Sequence, residues 1–229
     1  MLIGIEIGGT KLQACLADMD GKIVHIWRTT VNSDRQAAGI RETMSASLPE
    51  LMKLVPPGQQ LAGVGVGYGG PVDAKTGKTI ISHQILGWEN FPLAEWLGKL
   101  LKAPVLVGND ADVAGLGEAT KGAGREHDPV FYITVGSGIG GGLILGGAIY
   151  PGCGKGAAEI GHLMIDRHGE ILEHVASGWG IQRRFANAVK SGRSTIVTKA
   201  APTVQEIAIA ARADERFVEA VDRGEVGAA

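Results

Sequence analysis

The sequence contains little of what builds the more specialised classes of protein. Of its 229 residues only two, Cys15 and Cys153, are cysteine, so no disulfide framework supports the fold. Aromatic residues make up 5% of the chain, and 22 basic against 24 acidic side chains leave a net charge of −2. This balance favours neither a nucleic acid nor a membrane surface as a partner.

Signals that direct a chain into or across a membrane are also missing. No apolar run approaches the ~20 residues that span a bilayer. The start, MLIGIEIGGTK, has no basic head, long apolar stretch or small-residue cleavage site. We therefore expect a cytoplasmic globular protein, because 45% hydrophobic and 20% charged residues are ordinary proportions for one.

Glycine, by contrast, is abundant. Its 36 copies are roughly twice the usual frequency. They cluster at 63–70, 136–147 and 152–156, beside apolar runs. This placement predicts tight turns and close backbone approach rather than a flexible linker.

The first half of the chain alternates predicted strands and helices. Strands are expected at 2–7, 12–17 and 22–31, where β-forming residues are separated by turn signals. A helix follows, with a kink or break at Pro49. Its apolar residues recur at helical spacing: Ile40, Met44, Leu48, Leu51 and Val55.

Three further elements complete this half and lead into the second. They are a strand at 61–68, a helix at 91–101 with Leu93, Leu97 and Leu100 in register, and a strand ending at Asn109–Asp110. The second half then repeats the strand–glycine turn–strand–strand order in VFYITV, GLILGGAIY and GHLMID, with helices from about 173. This order suggests two copies of one α/β unit, although identity between the halves is too low to prove duplication.

Gly136, Gly138 and Gly141 have the G-x-G-x-x-G spacing of a dinucleotide-binding loop. That loop must open a helix, whereas the residues that follow, LILGGAIY, predict a strand, so NAD binding is not expected. A glycine hairpin can still cradle phosphate with its backbone N–H groups. The residues alone leave two readings open for IEIGGTKLQ and TVGSGIGGGL: phosphate loops, or plain hairpin turns.

Five motifs in order carry a family resemblance: IGIEIGGTK, GVGVGYGGPVD, VGNDADVAGLGEA, TVGSGIGGGLILGGAIYPG and AEIGHLMID. Together they closely resemble the ROK family of bacterial sugar kinases and sugar-responsive repressors, its glucokinase-like members most of all. The resemblance implies an actin-like ATPase (ribonuclease-H-like) α/β fold. It also implies two domains, 1–108 and 109–229, with ATP and a hexose in the cleft between them.

The resemblance assigns residues to the nucleotide and to catalysis. Glu6 would help to place Mg²⁺, and Asp110 would be the catalytic base that accepts the proton of the sugar hydroxyl. From the residues alone, Asp110 is equally suited to capping a helix. The two implied phosphate loops comprise Gly8, Gly9, Thr10 and Lys11, and Gly136, Ser137, Gly138 and Gly140.

The resemblance also implies a sugar pocket, because polar side chains with paired donors and acceptors are needed to read a ring of hydroxyls. Its implied residues are Gly70, Gln84, Asn109, Glu159, His162 and Glu173. For Glu173, an exposed helix charge is an alternative reading. Gln84 stands where the family usually has asparagine, and Asp112 adds a second carboxylate beside Asp110.

Two further departures from the family pattern shape the expectations. The interval LMIDRHGEIL contains no cysteine, so no structural zinc and no metal-ligand set are predicted. The chain also lacks the later glycine-rich segment that packs on adenosine in relatives, and we expect weak ATP binding.

The function implied is therefore ATP-dependent phosphorylation of a hexose. The alternative is a non-catalytic, sugar-sensing member of the family. A DNA-binding repressor is not expected, because no basic helical module precedes Leu2. An actin-like or chaperone-like ATPase would not need the AEIGH cluster. Homodimerisation is an expectation that comes from the family alone.

Overall fold

A computed structural model describes residues 1–82, 85–152, 157–192, 197 and 201–213. Its contacts divide the chain into two compact units. Unit 1 comprises Met1–Tyr132 and Gly142–Ala157, and unit 2 comprises Ile133–Gly141 and Ala158–Ala229. The predicted domains, 1–108 and 109–229, divide the chain at a different place, because residues 109–132 belong to unit 1. A domain boundary at 108/109 stays a prediction.

Strands, in groups or singly, alternate with single α-helices up to Ile149, and three α-helices follow in the described part of the chain. The strands are β1 (Leu2–Ile7), β2 (Lys11–Ala17), β3 (Ile23–Thr30), β4 (Gly63–Tyr68), β5 (Val72–Asp73), β6 (Lys78–Thr79), β7 (Val105–Asn109), β8 (Val130–Val135), β9 (Ile139–Leu145) and β10 (Ala148–Ile149). The helices are α1 (Gln36–Met52), α2 (Leu93–Leu101), α3 (Asp110–Lys121), α4 (Leu172–Ala176), α5 (Gly178–Lys190) and α6 (Val204–Ala213).

Unit 1 is built on a five-stranded sheet of order β3-β2-β1-β4-β7. The first three strands are antiparallel neighbours, whereas β4 runs parallel to β1 and β7 runs parallel to β4. Every second side chain of β1 is buried, as the period of a strand requires: Ile3, Ile5 and Ile7. Because β1, β4 and β7 are parallel, they end at the same edge of the sheet, where the first glycine loop, Gly69–Gly70 and Asp110 follow them.

Helix α1 shows where the sequence pattern was right and where it was not. Ile40, Met44, Leu48 and Leu51 are all buried, as their spacing predicts. Of the kink or break predicted at Pro49, the break does not occur, because the helix continues through Pro49 for one turn and ends at Met52. Proline removes one helical hydrogen bond there, and the buried side chains on both sides of it hold the turn in place.

In helix α2 one of the three leucines predicted to share the buried face is not the one that the structure buries. Leu93 and Leu97 are buried as predicted, but the third buried residue on this face is Leu101 and not Leu100. Spacings of three and four residues both keep a helical face. Packing against the sheet therefore selects between the two neighbouring leucines.

Two glycines of α3 lie in opposite environments, which gives a matched pair of predictions. A Cβ on Gly117 would have open space around it, whereas a Cβ on Gly115 would lie 3.0 Å from the Cβ of Tyr132. We expect Gly117→Ala to raise the free energy of unfolding by about 0.5–1 kcal/mol, because alanine is the better helix former. Gly115→Ala should give none of this gain, since its methyl group collides with Tyr132.

Urea denaturation of both variants beside the wild type checks this pair. A Gly117→Ala variant that unfolds at lower urea than the wild type would contradict the open environment described for that position. Equal gains from both variants would contradict the close contact at Gly115.

Strands β8 and β9 form the glycine hairpin, with β10 on the far side of β9, and the hairpin contributes to both units. The residues after Gly136 and Gly138 enter strand β9 and not a helix. The prediction against a dinucleotide-binding loop is therefore confirmed, since that loop needs a helix at this position.

The repeat of the first half is incomplete in the second. GHLMID is predicted as a strand, but Ile160–His162 is a 3₁₀ turn, followed by a single bridge between Met164 and Ile171. The reason lies in Gly161, where a Cβ would stand 2.2 Å from the carbonyl oxygen of Ile139. The backbone there closes tightly onto β9. Helices from Leu172 onward follow as predicted.

The described part of the chain includes no helix with the length and apolar character that crossing a bilayer requires.

Candidate active site

The candidate site in unit 1 lies where its three parallel strands end. Strands β1, β4 and β7 finish at Ile7, Tyr68 and Asn109. The residues that follow are the first glycine loop, the Gly69–Gly70 pair and Asp110. In open α/β sheets ligands bind outside the carboxyl ends of the strands, so this edge is the natural place for chemistry.

Asn109 and Asp110 have separate roles at the start of α3. The Oδ1 atom of Asn109 accepts hydrogen bonds from the backbone N–H groups of Ala111 at 2.9 Å and Asp112 at 3.3 Å. Asn109 is therefore the helix cap. Asp110 is the first residue inside the helix and is exposed to solvent. The reading of Asp110 as the capping residue is wrong.

The carboxylate of Asp110 lies beside the first glycine loop. Its Oδ1 accepts the N–H of Ala111 at 2.9 Å. Its Oδ2 and the Cα of Gly8 are both within 4 Å of the point where Gly69 would carry a Cβ. The Gly69 N–H also bonds to the carbonyl of Ile7 at 2.9 Å. The structure thus brings Asp110, Gly69 and the loop after β1 together.

The first loop is a tight hairpin stiffened by charged and polar side chains. Its backbone turn is closed by the N–H of Gly8, which donates to the carbonyl of Lys11 at 3.0 Å. The Glu6 carboxylate, 40% exposed, accepts a hydrogen bond from Gln13 and lies 3.6 Å from the Lys11 ammonium. Thr10 is exposed at the tip. A carboxylate and an ammonium group are therefore both available beside this loop.

Gly70 is held from two sides. Its carbonyl accepts a hydrogen bond from Asn109 Nδ2 at 3.2 Å, and a Cβ on it would lie 2.9 Å from the carbonyl oxygen of Ile81. Its neighbour Tyr68 is buried, which raises the pKa of that phenol to about 12. The Tyr68 hydroxyl remains protonated at neutral pH and donates to Ile81 at 3.3 Å.

In unit 2 the glycine loop Gly136–Gly138 rests on the start of helix α5. The carbonyls of Gly136 and Ser137 accept the N–H groups of Gly178 at 2.8 Å and Trp179 at 3.1 Å. These peptide bonds are trans, so the N–H on the opposite side of each peptide plane points away from α5. Those donors belong to Ser137 and Gly138. Two adjacent N–H groups on one side of a loop suit a phosphate.

Glu173 contacts this same loop. Its Oε2 accepts the N–H of Ile139 at 2.7 Å. A Cβ on Gly138 would stand 2.6 Å from that oxygen, so the carboxylate reaches the loop because residue 138 is glycine. Glu173 is partly buried and is not the exposed helix charge of the alternative reading. Gly140, the last predicted loop residue, is already part of strand β9.

Glu159 precedes the 3₁₀ turn and His162 is its last residue, and both are exposed. The N–H of His162 donates to the carbonyl of Glu159 at 3.0 Å, which fixes the backbone between them. Gly161, between the two side chains, packs against the carbonyl of Ile139. The pair is thus tied to the strand that follows the glycine loop. Gln84, the remaining predicted sugar residue, lies outside the described residues.

A groove of about 400 Å³ opens beside the unit 2 loop. Its lining is mainly apolar, and the indole of Trp179 is 48% exposed. The lining residues are Val135, Gly136, Ser137, Ala176, Gly178, Trp179, Ile181, Gln182 and Val204. The sequence pattern did not predict it. The motif SGWG, with Ser177 as the cap of α5, was the signal that could have located its floor.

The residues present fit the Mg²⁺ that the resemblance implies, but not as a ready-made cage. Mg²⁺ typically takes one or two carboxylates together with substrate phosphates, and Glu6 offers one carboxylate beside the first loop. Within the described ranges no group of three or more His, Cys, Asp or Glu residues could hold a metal ion. The absence of a structural zinc stays a prediction.

The sheet order and the glycine loops at its strand ends are those of an α/β protein of the actin-like ATPase class. The chain belongs to the ROK family, whose family model matches residues 2–229. The predicted family and fold class are therefore both confirmed.

Three relatives illustrate the match. The chain is 32% identical to a glucokinase of Thermotoga maritima, over 94% of this chain and 71% of that protein. A solved ROK family glucokinase of Streptomyces griseus, in complex with glucose and AMPPNP, has a TM-score of 0.70 at 32% identity, over 83% of this chain and 62% of that one. A putative xylose repressor of Caldicellulosiruptor is 28% identical, over 84% of this chain and 50% of that protein. The chain therefore spans from half to seven tenths of these relatives.

Proposed function

We propose that this chain carries the sugar-binding and phosphate-binding parts of an ATP-dependent hexose kinase. The observation that carries the proposal is the placement of Asp110. Its carboxylate is exposed at the carboxyl edge of the parallel strands beside the first glycine loop, while Asn109 caps the helix. Similarity to two glucokinases supports hexoses as the acceptor class.

In the proposed reaction Asp110 is the general base. As the sugar hydroxyl oxygen forms its bond to the γ-phosphorus of ATP, the hydroxyl proton passes to the carboxylate of Asp110. The bond from that phosphorus to the bridging oxygen breaks, and ADP leaves. The N–H groups of Ser137 and Gly138 and the ammonium of Lys11 hold phosphate oxygens. Mg²⁺ beside Glu6 would neutralise charge that develops on them.

The sugar is held by polar groups from the predicted set. Asn109 and the backbone of Gly70 are already joined by a hydrogen bond, so they form a rigid wall. Glu159 and His162 supply an acceptor and a donor that read ring hydroxyls. Their exposure is consistent with a ligand-reading role.

The groove beside the unit 2 loop supports a place for the nucleotide base. Its apolar lining suits a purine, and the exposed Trp179 offers a face for stacking. We still expect ATP to bind weakly, because a groove encloses a base less completely than a closed pocket does.

Similarity to a putative xylose repressor keeps a second candidate, a non-catalytic sugar sensor. Both candidates predict that a sugar binds, and they differ in turnover. ADP release should be measured with glucose, fructose and N-acetylmannosamine, together with sugar binding by calorimetry. Sugar-dependent ADP release is expected from a kinase. Sugar binding without any ADP release would favour the sensor, and neither binding nor release would overturn both.

A further inference from the structure

We propose that Glu173 is a positioning residue for the glycine loop Gly136–Gly138, so that its carboxylate acts on nucleotide affinity. This proposal rests on the nucleotide-binding function proposed above. Nothing in the family motif assigns Glu173 to the nucleotide side, since the resemblance places it at the sugar. The contacts within unit 2 lead to a different role.

The loop is held at three backbone points by the segment that contains Glu173. Two are the carbonyls of Gly136 and Ser137, which accept N–H groups from the first turn of α5. The third is the N–H of Ile139, which donates to Glu173 Oε2 at 2.7 Å. Of these three contacts, the third is the one made by a side chain. It can therefore be removed by substitution without changing the backbone partners.

The backbone of Glu173 is itself anchored. Its carbonyl accepts the N–H of Ser177 at 3.2 Å. Ser177 is 1% exposed and caps α5 through its hydroxyl, which accepts the N–H of Gly180 at 3.0 Å. The carboxylate thus extends from a fixed point to the loop. A carboxylate on a mobile segment would stabilise the loop less, because the conformational entropy lost on ordering it would offset most of the free energy of the hydrogen bond.

Anchoring matters because the loop is rich in glycine. Ordering each backbone residue costs roughly 1–2 kcal/mol, and a ligand that binds an unanchored loop must offset that cost. With Ile139 held, the N–H groups of Ser137 and Gly138 are already aimed before phosphate arrives. Such preorganisation raises affinity without adding a contact to the ligand.

Two substitutions of Glu173 separate the effect of side-chain length from the effect of charge. Glu173→Gln keeps the length of the side chain and an oxygen that accepts the Ile139 N–H, but loses the charge. Glu173→Asp keeps the charge but is one methylene too short. We expect Glu173→Gln to bind AMPPNP in the absence of sugar as tightly as the wild type, and Glu173→Asp and Glu173→Ala to bind about tenfold more weakly, the equivalent of one ordinary hydrogen bond.

Glu170→Ala is the matched control. It removes the same functional group three residues earlier, where the carboxylate is exposed beside His174, and it should leave AMPPNP affinity unchanged. Calorimetry with AMPPNP and, separately, with glucose gives the two affinities for each variant. A Glu173→Ala variant that loses glucose affinity and keeps AMPPNP affinity would overturn the proposal in favour of a sugar-contacting role alone.

Hydrogen exchange of the free protein distinguishes failure of this inference from failure of the proposed function. The Ile139 amide should exchange faster in Glu173→Asp and Glu173→Ala than in the wild type, Glu173→Gln or Glu170→Ala. A wild-type chain that binds no AMPPNP but shows this exchange pattern would contradict the kinase proposal and leave the loop anchor supported. Unchanged exchange at Ile139 in all variants would overturn the anchor itself.

Discussion

Asp110→Asn should lower the rate of sugar-dependent ADP release by about 10²–10⁴-fold, the usual contribution of a general base. The substitution is nearly isosteric, and the amide oxygen can still accept the Ala111 N–H that Asp110 Oδ1 accepts at 2.9 Å. What the amide cannot do is take a proton. The helix cap also survives, because Asn109 provides it. The loss should therefore appear in kcat, with glucose and AMPPNP affinities changed by no more than a few-fold.

The control for this experiment is Asp34→Asn. It changes an exposed aspartate of unit 1 in the same way, in the short 3₁₀ helix Ser33–Arg35 before α1, and should leave turnover unaltered. Steady-state ADP release and calorimetric binding on the three proteins check the prediction. An Asp110→Asn variant that keeps more than about a tenth of wild-type turnover would remove Asp110 from the role of base.

The second large effect is expected at Gly161. Alanine there would place a Cβ 2.2 Å from the carbonyl oxygen of Ile139 and 3.1 Å from its carbon, and both are backbone atoms. Neither can rotate aside, so the 3₁₀ turn must move away from β9. We expect the free energy of unfolding to fall by about 1–3 kcal/mol, as in other overpacked sites. Glucose affinity should fall as well, since Glu159 and His162 flank the displaced residue.

Gly136→Ala is the matched control for stability. Residue 136 belongs to the same unit, and a Cβ there has no atom within 4 Å. Its free energy of unfolding should stay within about 0.5 kcal/mol of the wild type. Urea denaturation followed by circular dichroism measures both variants. Equal midpoints for Gly161→Ala and Gly136→Ala would show that the contact with the Ile139 carbonyl does not constrain the turn.

The elements predicted well from the sequence are those whose pattern is local. Strand β1 begins and ends as expected, because alternation of apolar residues needs one sheet face to be buried and nothing more. The helix that follows β3 was also located from its periodicity. Pro49 shows the limit of local rules, since propensity favours a break there and the buried residues on either side of it outweigh that preference.

The candidate site likewise has features that local motifs predict and features that they do not. The resemblance predicted the loops and the Asn109–Asp110 pair from motifs alone, and their roles stay predictions. It did not show which of the two caps α3, because both residue types are favoured caps. Nor did any local pattern connect Glu173 with Ile139, which are 34 positions apart. Such a contact depends on how α4 packs beside the hairpin.

By itself, the sequence determined the α/β class and the rejection of a dinucleotide-binding loop, and its five ordered motifs carried the resemblance to the family. Residue types and spacings act over a few positions along the chain, and the residues proposed from the resemblance for phosphate and sugar chemistry stay predictions. Only the tertiary structure decided that Asn109 is the cap, that GHLMID turns instead of forming a strand, and that Glu173 anchors the glycine loop. The last two outcomes depend on distances of 3 Å or less between distant segments, which packing sets. The cap depends on the backbone geometry where β7 meets α3, which places Asn109 Oδ1 2.9 Å from the Ala111 nitrogen.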